Sequence, residues 1–110
     1  MSELNEATIL VVDDDRSTLL IAVLLLRRAG YIVWTAESGE EALELVRTRG
    51  NISLLLADVM MPGLSGPELA AGVVHLRKDV RVLLMSDSTP DQLELYWTAA
   101  SGYPLLPKPG

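Results

Sequence analysis

The sequence predicts an α/β fold, a doubly wound parallel sheet of five strands with helices on both faces. Three observations carry this. Short apolar runs of β type alternate with longer segments of helical period, the sequence form of repeated strand–helix units. Four runs, ILVV at 9–12, SLLLA at 53–57, VLLM at 82–85 and YPLLP at 103–107, each stop at a polar residue: Asp13 and Asp14, Asp58, Ser86 and Lys108. Cap residues and glycines fall between the runs, where helices must begin and end.

Taken in order, strands are expected at about Thr8 to Val12, Ile32 to Thr35, Ser53 to Ala57, Arg81 to Met85 and Pro104 to Leu106. Four helices separate them. Asp15 is read as the cap of the first, whose segment TLLIAVLLL is apolar nearly all the way round, although a surface helix ordinarily shows one apolar stripe. Ser38 with Glu41 predicts a capping box for the second helix, in which the hydroxyl takes a free backbone N–H and the Glu reaches back to the cap. Pro67 suits the first turn of the third helix, and Thr89-Pro90 that of a fourth, because a proline there forfeits no helical hydrogen bond. Gly30 and Gly50, each just after arginines, mark two helix ends.

Right-handed crossovers would put the carboxyl ends of the strands at one rim, where ligand sites of open α/β sheets form. All four polar stops lie there. Two carboxylates about 4 Å apart repel by about 4 kcal/mol at an effective dielectric near 20, so a cation must sit among them. Oxygen donors without His or Cys favour a hard divalent ion, and Mg²⁺ suits a site that must also accept a phosphate oxygen. The rim therefore reads as a phosphoryl-handling site.

Composition narrows the classes. The 110 residues allow one domain over 1–110, and 49% hydrophobic content supports a packed core. A net charge of −6 disfavours direct nucleic-acid binding, which relies on Lys and Arg against phosphates. The absence of cysteine excludes disulfides and thiolate chemistry. The longest apolar run, Leu19 to Leu26, is far short of the ~20 residues that span a bilayer, so no membrane partner is expected. The polar, acidic start MSELNEA lacks signal-peptide character, and a cytoplasmic location is expected.

With these residues in view, the chain resembles the receiver domain of two-component response regulators. The resemblance rests on ILVVDDD at 9–15, DVMMPGLSG at 58–66, LLMS at 83–86 and LPKPG at 106–110, in that order. It implies a flavodoxin-like, CheY-like sheet of order 2-1-3-4-5. It also implies transfer of a phosphoryl group to an aspartate from a sensor histidine kinase or phosphotransfer protein. Position by position, Asp58 resembles the phosphoacceptor, Asp14 a direct Mg²⁺ ligand, Asp13 a ligand acting mainly through water, and Met60 a backbone-carbonyl ligand. Ser86 corresponds to the switch hydroxyl and Lys108 to the cation that pairs first with Asp58 and then with phosphate. Such a domain catalyses only its own phosphorylation.

Three positions depart from the family pattern. Asp87 stands where a small residue usually follows the switch hydroxyl, and an added carboxylate there should slow phosphorylation or raise metal demand. Leu105 occupies the place of the switch aromatic, with Tyr103 two residues upstream. The fifth helix of the family is missing after Lys108-Pro109, so part of the sheet is expected to lie open and to self-associate or bind a partner. These departures suggest an alternative, a degenerate receiver that serves as a phosphorylation-independent dimerisation or docking module. A third reading takes Asp13, Asp15 and Ser17 as the D-x-D-x-[ST] opening of haloacid-dehalogenase-like phosphatases, which also need a later acidic pair and a cap insertion. Lone His75, beside Arg77 and Lys78, reads as part of a solvated face.

Overall fold

The computed structural model describes residues 7–86 and 103–108. Along them run β1 (Thr8–Val12), α1 (Arg16–Arg28), β2 (Ile32–Ala36), α2 (Gly39–Arg49), β3 (Leu54–Asp58), α3 (Gly66–Leu76), β4 (Arg81–Ser86) and β5 (Leu105–Pro107). The strands form one parallel sheet of order β2-β1-β3-β4-β5. This is the flavodoxin-like, CheY-like architecture with three helices among the described residues. The fourth helix expected from Thr89-Pro90, and Asp87, lie outside them.

Alternation along β1 divides the interior into two cores. Leu10 and Val12 pack with Ala42 and Val46 of α2 and with Leu69, Ala70 and Val73 of α3. Ile9 and Val11 face the other way, against Leu19 and Ala22 of α1 and Met85 of β4. Among the described residues α1 alone covers this second face. Beside it, Ala22, Leu25, Leu26, Leu56, Met85, Leu106 and Pro107 line a groove of about 220 Å³. This apolar groove lies next to β5.

Helix starts follow the expected chemistry with one correction. Asp15 caps α1, its carboxylate accepting the Ser17 N–H at 2.9 Å and the Thr18 hydroxyl at 3.2 Å. Ser38 caps α2 by accepting the Glu41 N–H at 3.1 Å, but the Glu41 side chain takes the N–H of Glu37 at 2.7 Å rather than that of Ser38. The complete capping box is at α3, between Ser65 and Glu68. Gly30 and Gly50 adopt positive φ of 99° and 88°, conformations that side-chain-bearing residues rarely reach.

Four strand ends fall one residue later than the apolar runs suggest, at Ala36, Asp58, Ser86 and Pro107. At Asp58 and Ser86 pairing continues past the last apolar side chain because the ladder is made by backbone groups, which do not depend on what the side chain is. The Val59 N–H donates to the Met85 carbonyl at 2.9 Å and the Lys108 N–H to the Ser86 carbonyl at 3.1 Å.

Candidate functional site

Register brings the polar stops together. Val12 pairs with Ala57, so the next residues, Asp13 and Asp58, emerge side by side from β1 and β3. Asp58 is in register with Met85, one residue before Ser86, and Ser86 with Pro107, one residue before Lys108. β1 connects to β2 on one side and β3 to β4 on the other, so the two connections diverge and open a crevice at this rim between β1 and β3.

Within the crevice Asp13 is fully buried, while Asp58 and Ser86 are each 5% exposed. Lys108 Nζ stands 3.1 Å from Asp13 Oδ2 and 3.0 Å from Asp58 Oδ2. The other Asp13 oxygen accepts the Asp15 N–H at 2.9 Å, and the other Asp58 oxygen accepts the Met60 N–H at 3.3 Å. Met60 turns its side chain outward, 47% exposed, and meets the site through its backbone. Asp14 is exposed, yet one oxygen from each of Asp13, Asp14 and Asp58 falls within a set whose members are all within 4.8 Å of one another.

Burial pushes the Asp13 carboxyl above its usual range, against the Asp15 N–H and Lys108, which favour the charged form. Asp58 is likewise raised, first by burial and then by the Asp13 charge, with Lys108 opposing. For Lys108, burial alone would lower the ammonium, but hydrogen bonds and charge from Asp58 and Asp13 outweigh it and hold the group above its ordinary value. One lysine thus offsets only part of the charge of two carboxylates. Asp13 Oδ2 shares the one Nζ with Asp58 Oδ2, so a fully buried anionic oxygen has a single positive charge divided between it and a second carboxylate. Three convergent carboxylates, one with such an oxygen, fit a hard divalent cation.

The chain matches the family described as response regulator receiver domain over residues 9–109. It belongs to that receiver family. It is 32% identical over 104 residues to the sensor kinase CckA of Brucella abortus, covering 94% of this chain and 11% of that protein. The receiver thus spans a small part of that relative. Among solved structures it is similar to the chemotaxis protein CheY4 of Vibrio cholerae, with TM-score 0.81 and 29% identity over 96% of this chain and 88% of the other. It is also similar to the response regulator TrrA of Thermotoga maritima in complex with Mg²⁺-BeF, with TM-score 0.73 and 35% identity over 90% and 85% of the two chains. The receiver therefore carries the acidic cluster of a phosphoaccepting signalling domain that acts only on itself.

Of the residues expected at the site, Asp13, Asp14, Asp58, Met60, Ser86 and Lys108 share the rim. Asp15 does not join them, because its carboxylate is committed to the cap of α1. Tyr103 and Leu105 are partly buried against the core cluster of the sheet face that α2 and α3 cover. Sequence reasoning missed the support beneath Asp58. Gly66 lies against the Asp58 carbonyl so tightly that a Cβ there would overlap it, and the Ser65–Glu68 box fixes the start of α3 at that point. The S-x-x-E spacing at 65–68 was the available signal.

Proposed function

We propose that Asp58 accepts a phosphoryl group from a sensor histidine kinase or phosphotransfer protein, with Mg²⁺ held by Asp13, Asp14, Asp58 and the Met60 carbonyl. The observation that carries this is the buried Asp58 carboxylate, backed by Lys108 at 3.0 Å and grouped with two further aspartates. One Asp58 oxygen attacks phosphorus; a P–O bond forms as the P–N bond to the donor imidazole breaks, and the leaving nitrogen keeps the electron pair. A bound divalent cation would offset charge on the phosphoryl oxygens during this step. Lys108, already beside the nucleophile, then pairs with the added phosphate, and the Ser86 hydroxyl donates to it. Both residues are tied to one backbone hydrogen bond, so a shift of either reaches β5.

The chain reads as one receiver domain over 1–110, in the cytoplasm. No helix among the described residues is long and apolar enough to cross a membrane. It has no direct nucleic-acid partner and self-associates through the face beside β5. A second reading, a degenerate receiver that docks without phosphorylation, is favoured by Leu105 at the switch-aromatic position, partly buried against the core. Titration with Mg²⁺ and beryllofluoride separates the two. Spectral changes at Asp58 and Ser86 support phosphoacceptance, and their absence supports the docking module.

A further inference from the structure

The corner between β2 and α2 supplies no ligand, yet it touches the site's surroundings at two places. At its start the Ala36 carbonyl accepts the Asp13 N–H at 3.2 Å, which fixes the end of β2 to the first carboxylate of the cluster. At its end Gly39 opens α2 and is buried against Leu64. A Cβ on Gly39 would stand 2.7 Å from Leu64 Cβ and 3.1 Å from Leu64 Cδ1. Gly39 is not at positive φ, so it is space rather than backbone conformation that calls for glycine here. Within the corner, the Glu41 side chain accepts the Glu37 N–H at 2.7 Å and braces the turn.

Leu64 lies in the loop that joins β3 to α3 and carries Met60. That loop is closed at its base, where the Gly66 N–H donates to the Val59 carbonyl at 2.9 Å. Its tip is what rests on α2: beside Leu64, the Glu40 carboxylate lies 3.0 Å from where a Cβ on Gly63 would be. We infer that the β2–α2 corner is the positioning element of the cation site, with Gly39 as the seat of Leu64. It sets the separation between Asp13, held by Ala36, and the loop of Met60, held through Leu64. This rests on the Mg²⁺ site proposed above and names residues that support it without touching the ion. The atom nearest the missing side chain is Leu64 Cβ, which moves only with its own backbone. A methyl group on residue 39 must therefore displace the loop rather than turn a side chain aside. Residues that hold ligands in place commonly govern about 10- to 100-fold in metal affinity.

The test is calorimetric titration of the whole chain with Mg²⁺, for wild type, Gly39→Ala, Leu64→Ala and Val46→Ala, with amide NMR spectra of each metal-free protein. Gly39→Ala is expected to bind Mg²⁺ about tenfold more weakly and to shift the Met60 and Met61 amide resonances before any metal is added. Alanine suits a helix better than glycine, so weakening of α2 itself does not account for that result. Leu64→Ala keeps its Cβ but loses the atoms beyond it, and is expected to weaken Mg²⁺ to a smaller extent. Val46→Ala loosens the same helix from its buried far end and should leave the Mg²⁺ affinity of the folded protein at the wild-type value. Wild-type affinity in both Gly39→Ala and Leu64→Ala overturns the positioning role and spares the metal site. A loss in Val46→Ala as large as in Gly39→Ala also overturns it, because general loosening would then be the cause. A wild-type chain that binds no Mg²⁺ overturns the site and the inference together. If Gly39→Ala does not fold, Leu64→Ala decides alone.

Discussion

Lys108 Nζ lies 3.0 Å from Asp58 Oδ2, so the last strand is anchored electrostatically to the end of the third. β5 is three residues long and among the described residues pairs with β4 alone, so it has little ladder to hold it. The ammonium supplies the missing tie. Because the same Nζ also reaches Asp13, it holds together the two carboxylates whose repulsion would otherwise open the rim.

Lys108→Met should destabilise the metal-free protein by about 3–5 kcal/mol, the usual penalty for leaving buried charges without their partner. Mg²⁺ should restore much of this, since it can take over the counter-charge. Urea unfolding with and without Mg²⁺ measures both. A larger Mg²⁺ stabilisation in the variant than in wild type is expected.

Asp58→Asn should raise metal-free stability while abolishing phosphoacceptance. The change removes one of two buried carboxylates that share a single lysine, and activity-linked residues commonly oppose stability in this way. An increased urea midpoint with unchanged slope is the expected result.

The pH dependence follows from the direction of each shift. Asp13 and Asp58 have folded-state values raised above 3.8, so the folded chain holds protons that the unfolded chain releases. Stability should fall as pH rises from about 3.8 through their raised values, and the full penalty persists above them. Lys108 is also raised, so the stability it supplies is complete below 10.5 and is lost as pH climbs through its folded value. Metal-free unfolding across a pH series, compared with Asp58→Asn, should show a shallower acidic slope in the variant.

Gly66→Ala should impair the site from beneath. The new Cβ would overlap the backbone oxygen of Asp58, which cannot rotate away as a flexible side chain could. Ser65→Ala, by contrast, removes only a cap and should cost about 1 kcal/mol. Denaturation of both variants, with beryllofluoride binding as a second readout, should rank Gly66→Ala as the more damaging in each.

The convergence of residues 13, 58, 86 and 108 was legible because four strands end their apolar runs at the same rim, whereas the strand order 2-1-3-4-5 came from the family resemblance alone. The capping role of Asp15 was legible for a local reason, since an Asp before a helix has N–H groups within reach. The Glu41 detail was not, because a side chain one turn into a helix can reach either of two adjacent amides. Nor could the sequence disclose Lys108 bridging Asp13 as well as Asp58. That depends on two strands far apart in the chain emerging side by side, which only the register of β1 against β3 decides. The Gly66 contact was hidden similarly, since a glycine's packing against distant backbone leaves no periodic trace.

The most direct measurement exposes the wild-type protein and Asp58→Asn to a small-molecule phosphoramidate with Mg²⁺, then locates any added phosphoryl group by intact mass and peptide mapping. One phosphoryl group on Asp58, absent from the variant and lost when Mg²⁺ is chelated, is the expected result. Modification at another residue, or none at all with folded, Mg²⁺-loaded protein, would contradict the assignment of Asp58 as the acceptor.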